Sequence, residues 1–271
     1  WLGVVCTVPA HNCAGHQITA HVRIIAIGDA SNNNPSLNQT ASMSLKGNIR
    51  IGNVSGATGD HWSAMKRMAQ DGNVDVITGD WLSEMNIAWN AIAKKENPSL
   101  GYEAGFLVQL GECIDDIASK GIKIVTNAGA LNTTALHHEV EELCKKRGYE
   151  GKLVVASVLG DDLSHLINQK DERKKLGLGH LDHEELGLEE WEMASEVHCA
   201  VAYLGAQGII AALNTGADIV ICGRVTDASP VIGAAAWWYG WSAESFDELA
   251  GALIAGRTYL LSFSLKHSCI H

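Results

Sequence analysis

The sequence predicts an α/β fold: a mostly parallel, Rossmann-like sheet of at least five strands with helices on both faces. Three observations predict it. Short stretches such as Val74–Thr78, Ile122–Thr126, Leu153–Leu159 and Ile219–Cys222 are apolar nearly throughout, as strands covered on both faces must be. Amphipathic helical patterns separate them, giving crossovers that are parallel and right-handed. A polar or glycine-bearing loop follows each strand, and that carboxyl edge is where open α/β sheets hold ligands.

Asn48–Asn53 reads as the first strand of this run. Gly52, Gly56 and Gly59 punctuate its exit, and Asp60 then stands as N-cap of a helix reaching Asp71, with Trp62, Met65 and Ala69 on one face and Gly72 as its stop. After Val74–Thr78 and its exit Gly79-Asp80, a helix from Leu82 to Lys95 places Met85, Trp89 and Ile92 inward. A helix from Tyr102 to Lys120 buries Phe106, Leu110, Cys113 and Ile117 before Gly121. Ile122–Thr126 leaves through Asn127 and Gly129 to Asn132, then a charged helix with His137, His138 and Glu139 on its surface. Leu153–Leu159 leaves through Gly160-Asp161-Asp162. A charge-rich excursion over 168–192 precedes a long helix from Ala194 to Leu213, the strand Ile219–Cys222 and its exit Gly223-Arg224. Ser229 as N-cap and Pro230 at the first turn open the next helix.

The 271 residues suffice for one large domain or two small ones. Residues 1–42 show no sustained period and the pattern changes at Met43. The expected division is an atypical extension over 1–42, the α/β domain over 43–257 and a divergent tail over 258–271, the tail being a final docked strand or a truncation. The net charge of −11 argues against a nucleic-acid partner held by a general basic surface. A small anionic molecule held by local dipoles is still compatible with it. Seven scattered cysteines without a C-x-x-C pair indicate a reducing compartment and a cytoplasmic location. No apolar run has the length of a membrane span, so no membrane partner is expected. The run Trp237-Trp238-Tyr239-Gly-Trp241 reads as core packing, an apolar pocket wall or a contact in a homo-oligomer.

The strand exits supply the candidate site. Asn53, Ser55, Gly56 and Gly59 come from the first, Asp80 from the second, Asn127 from the third, Asp161 and Asp162 from the fourth, and Arg224, Thr226 and Asp227 from the fifth. Arg224 suits capture of a carboxylate or phosphate, and the glycine-rich loop before a helix suits the same kind of group. Its spacing, G-x3-G-x2-G, makes a weak dinucleotide fingerprint and lacks the P-loop lysine, while Asp80 ends the second strand where a ribose-binding acid is expected. Asp80, Asp161 and Asp162 are the candidate catalytic groups, able to move protons, hold a divalent cation or cap a helix. The cluster His180, His183, Glu184 and Glu185 reads as a solvated loop. No serine elbow or activated cysteine is present.

The segments Ile51–Asp60, Asp75–Met85, Ile124–Ala130, Gly160–Asp162, Ala202–Ala206 and Gly216–Ser229 resemble, in order, the acyclic terpene utilisation (AtuA-like) family. The resemblance spans about Gly47 to Gly256. It implies a place in acyclic terpenoid catabolism, where intermediates are coenzyme A thioesters, and brings no agreed catalytic residues with it. An enzyme of acyl-CoA or carboxylate catabolism is thus one expectation; a non-catalytic nucleotide- or acyl-CoA-binding subunit, or an inactive truncated member, is the alternative.

Overall fold

A computed structural model of the chain describes residues 2–10, 18–26, 47–56, 60–169, 171, 175 and 197–267, with side chains described between 47 and 257. Two strands, β1 (Leu2–Ala10) and β2 (Ile18–Ala26), come first, followed by β3 (Ile51–Asn53), α1 (Ala64–Asp71), β4 (Val76–Gly79), α2 (Glu84–Glu96) and α3 (Ala104–Lys120). Next are β5 (Lys123–Thr126), α4 (Thr133–Lys146), β6 (Val155–Leu159), α5 (Ser164–Ile167), α6 (Gln207–Asn214), β7 (Ile219–Cys222), α7 (Ser229–Tyr239) and α8 (Phe246–His267).

These strands form one sheet in the order β1-β2-β6-β7-β5-β4-β3. From β6 to β3 all pairings are parallel, so five exits share one edge as the sequence predicts. The strands β1 and β2, in a stretch without a sustained sequence period, pair antiparallel with each other and, through β2, with β6.

Alternate residues of the parallel strands feed two cores. Ile77, Ile124, Ile219 and Ile221 pack with Met65, Phe106, Leu110, Ile117, Leu136 and Val140 of α1, α3 and α4. Val76, Val125, Val220 and Cys222 face Ile209, Ala212, Leu213 and Ala234 of α6 and α7. The chain therefore builds one helical layer first and the other after β6. It runs β3, β4, β5 in one direction, skips a place to β6, and returns to insert β7. β5 leads out to the first layer through α4, and its neighbour β7 leads out to the second through α7. That divergence is the topological switch point, where a crevice opens.

Several local expectations are corrected. Met85, Trp89 and Ile92 of α2 are exposed, while Asn86, Ile87, Asn90 and Ala91 are buried. This helix does not lie on the sheet. It covers the strand exits, where Ile87 and Ala91 meet Ala130 and Leu131, and where Asn90 Nδ2 donates to Glu103 Oε1 at 2.6 Å. Trp62 is exposed although Met65 and Ala69 are buried. Asp60 does not cap α1, whose N-cap is Ser63; its Oδ2 accepts from Gly56 N at 2.7 Å and closes the preceding loop. Gly72 follows α1 in a right-handed conformation, and the cap of α7 is Ala228, one residue before Ser229.

His137 is buried rather than on the surface: its Nδ1 lies 2.8 Å from Ser157 Oγ on β6. Residues 197–206 are not helical, so the helix expected from Ala194 begins only at Gln207. The intervening chain is held extended, with Ala202 N donating to Asp161 O at 2.8 Å and Leu204 N to Arg224 O at 3.1 Å. The tail, for which a docked strand was one of two readings, is helical through His267. The aromatic run pins the approach to β3: Tyr239 Oη accepts from Ile49 N at 3.2 Å, and Trp238 Nε1 donates to Gly47 O at 2.9 Å.

Candidate functional site at the sheet switch point

Four of the predicted residues meet where β4, β5 and β7 end. Asp80, just beyond β4, is buried and accepts from Asn127 Nδ2 at 2.6 Å and from Leu82 N at 3.2 Å. Asn127, after β5, is wholly buried, and its own Oδ1 accepts from Trp81 N at 2.8 Å. One amide thus links the two exits in both directions. Burial pushes the Asp80 carboxyl up to about 6; the hydrogen bond from Asn127 opposes this, Asp227 adds to it, and Leu82 N and Arg224 oppose it.

Arg224, two residues beyond β7, has a side chain only 4% exposed. Its Nη2 donates to Tyr203 Oη at 2.7 Å and to Glu84 Oε1 at 3.3 Å, and the guanidinium lies 4.1 Å from the Tyr203 ring centroid. Its Nη1 has no hydrogen-bond partner among the described residues; Asp227 Oδ1 stands 3.5 Å away and also lacks one. Tyr203 Oη donates to Glu84 Oε1. That bond holds Glu84 below, and Tyr203 above, its ordinary range.

Asp161, two residues beyond β6, joins them. Its Oδ2 accepts from Arg224 N at 2.6 Å, and the carboxylate rests against Gly223, where an added Cβ would come within 2.2 Å of Oδ2. Gly223 is therefore a close-approach glycine. Burial pushes Asp161 up to about 6, against the hydrogen bond from Arg224 N.

The other predicted residues part from this cluster. Asp162 turns away: its Oδ1 accepts from Ser164 N at 2.9 Å and its Oδ2 pairs with Lys94 Nζ at 3.5 Å. Thr226 is exposed, with Oγ1 2.6 Å from Ser229 Oγ. Asn53 ends β3, and Ser55 and Gly56 follow it, three strand spacings or about 14 Å from β7. Ser55 O accepts from Asp80 N at 2.9 Å, which ties this loop to the site. Gly59 lies outside the described residues, as do His180, His183, Glu184 and Glu185. No group of three or more metal-ligating side chains is assembled among the described residues. The thiols of Cys222, Cys113 and Cys144 are buried and pushed up by that burial, which removes them as nucleophiles.

Sequence reasoning missed Glu84 and Tyr203. Both lie within the family-like segments, Asp75–Met85 and Ala202–Ala206, and that coincidence was the available signal.

Fold and site together define a doubly wound α/β protein with a buried arginine and two high-titrating carboxyls at its switch point. Residues 49–259 match the model of the acyclic terpene utilisation family protein AtuA, and the chain belongs to that family. No curated protein and no solved structure matches it. No helix among the described residues is long and apolar enough to cross a membrane.

Proposed function

We propose that the chain is an enzyme acting on a small carboxylate or acyl thioester of acyclic terpenoid catabolism, with Arg224 holding an anionic or developing negative oxygen and Asp80 moving a proton. One observation carries this reading: a nearly inaccessible guanidinium, whose Nη1 makes no hydrogen bond among the described residues and faces Asp227 Oδ1 at 3.5 Å, stands near an acid that titrates at about 6. Burying a charge with an unmade hydrogen bond is costly, so an oxygen acceptor supplied by a ligand gains a strong partner there. A carboxyl titrating close to neutrality is matched to proton transfer. Asp161 has a supporting part, since its carboxylate fixes the Arg224 backbone.

The test is turnover and binding of a branched acyl-CoA thioester by the parent and two variants. Arg224→Gln should weaken binding about 10- to 100-fold, and Asp80→Asn should lower kcat about 100-fold or more while leaving binding in place. Binding without turnover in the parent would remove the catalytic half of the proposal and leave a carrier or ligand-binding subunit. Binding unaffected by Arg224→Gln would remove the site.

A further inference from the structure

The side chain of Arg224 is only 4% exposed, so a ligand reaches it only after something has moved. The two groups bonded to its Nη2 both face solvent: Tyr203 is 50% exposed and the Glu84 side chain 81%. They are not equally anchored. The peptides on either side of Tyr203 are tied to strand exits, Ala202 N donating to Asp161 O at 2.8 Å and Leu204 N to Arg224 O at 3.1 Å. Glu84 is the first residue of α2, and its carboxylate leans out to accept from Tyr203 Oη and from Arg224 Nη2 at 3.3 Å. Water competes for so exposed a carboxylate, which makes its ion pair weak and its release inexpensive. Side-chain rotation alone frees it. What it leaves is a set of donors: Arg224 Nη2, the Tyr203 hydroxyl, and Arg224 Nη1, which faces Asp227 Oδ1 at 3.5 Å without a hydrogen bond among the described residues. A guanidinium fork with a hydroxyl beside it suits the two oxygens of a carboxylate, and a carboxylate is the group already in place.

We propose that Glu84 is a displaceable stand-in for the ligand, and that the ligand's anionic end is a free carboxylate, which takes over Arg224 Nη2 and Tyr203 Oη as Glu84 swings out. Tyr203 then determines specificity beside Arg224, because its hydroxyl passes from an internal carboxylate to the ligand's. An uncharged thioester oxygen is the weaker competitor for these donors. The inference rests on the function proposed above in taking Arg224 as the ligand's anchor. It adds which group is held there and what that group must first displace.

Calorimetric titration of the whole chain with 3-methylbutanoate tests the displacement. The expected result is saturable binding that becomes about three- to fivefold tighter in Glu84→Gln, which has no charge with which to compete. Removing a negative charge near any bound anion has the same sign, so a second variant separates the two causes. Glu84→Gln/Tyr203→Phe should bind about tenfold or more weakly than Glu84→Gln, since the hydroxyl now serves the ligand. Both side chains are exposed, so these variants should fold as the parent does. Absence of saturation in both the parent and Glu84→Gln overturns the inference. Binding that Glu84→Gln leaves unchanged or weakens also overturns it, and so does a Tyr203→Phe change without effect in the Glu84→Gln background. Arg224→Gln keeps the two questions apart. If it still weakens thioester binding in any of those cases, only the displacement falls and the proposed function stands; if it changes nothing, the site itself falls.

Discussion

Asp80 shows what a buried carboxyl costs its own fold. Its carboxyl titrates at about 6 against an ordinary 3.8, raised chiefly by burial. The folded state therefore holds this proton more tightly than the unfolded chain does. The associated stability is fully present below the unfolded value near 3.8 and is lost as pH rises through about 6. Asp80→Asn keeps an oxygen to accept from Asn127 Nδ2 but has no charge to bury. Urea denaturation should find it more stable than the parent near pH 8, by up to about 3 kcal/mol. Near pH 3 the two should unfold together, and an equal gain at both pH values would show that charge burial is not the cause. His137 has the opposite sign, its burial lowering its titration. Its contribution is present above the ordinary histidine range near 6.5 and fades as pH falls toward the folded value. The position of Asp80 at a strand exit was legible because the strand before it is unambiguous. Glu84 was not, because nothing local says that an exposed first-turn carboxylate will meet Tyr203 and Arg224.

The helix α2 is where periodicity and structure disagree most. Its spacing of Met85, Trp89 and Ile92 has the regularity of a buried stripe, yet Trp89 is 55% exposed and the inner face carries Asn86 and Asn90. A helix over polar strand exits has little apolar surface to meet, so amides that can hydrogen-bond with neighbours are the better inward residues. Ile87→Ala should therefore cost about 2 kcal/mol and Trp89→Ala less than about 0.5 kcal/mol in thermal or chemical unfolding; the reverse ranking would mean that α2 is turned over. By contrast α3 buries Phe106, Leu110, Cys113 and Ile117 as its pattern predicts, since it packs on a sheet face. The segment 197–206 was misjudged for a tertiary reason: hydrogen bonds to the backbones of Asp161 and Arg224 hold it extended, and no window of sequence contains those partners.

The layered architecture and the common edge of the strand exits follow from the apolar strands, but the strand order depends on pairings between distant segments and was not legible. That order decides which exits become neighbours, and so which predicted residues share the site. Gly129 marks the join between the two neighbours that matter. Its N donates to Cys222 O at 3.0 Å, and a Cβ there would meet that oxygen and Thr133 Oγ1, each at 2.5 Å. Gly129→Ala should force the β5 and β7 exits apart and lower the unfolding free energy by about 1 to 3 kcal/mol, while an unchanged melting temperature would contradict so tight a contact.

The placement of β7 also has a consequence in time. As the chain is synthesised, β3 to β6 emerge with a vacant position between β5 and β6, and their facing edges can pair only with a strand made later. Filling that position completes the parallel sheet and delivers Arg224, two residues beyond the inserted strand. The molecule thus cannot close its sheet without bringing its arginine to the edge, so completing the sheet and placing Arg224 are a single event.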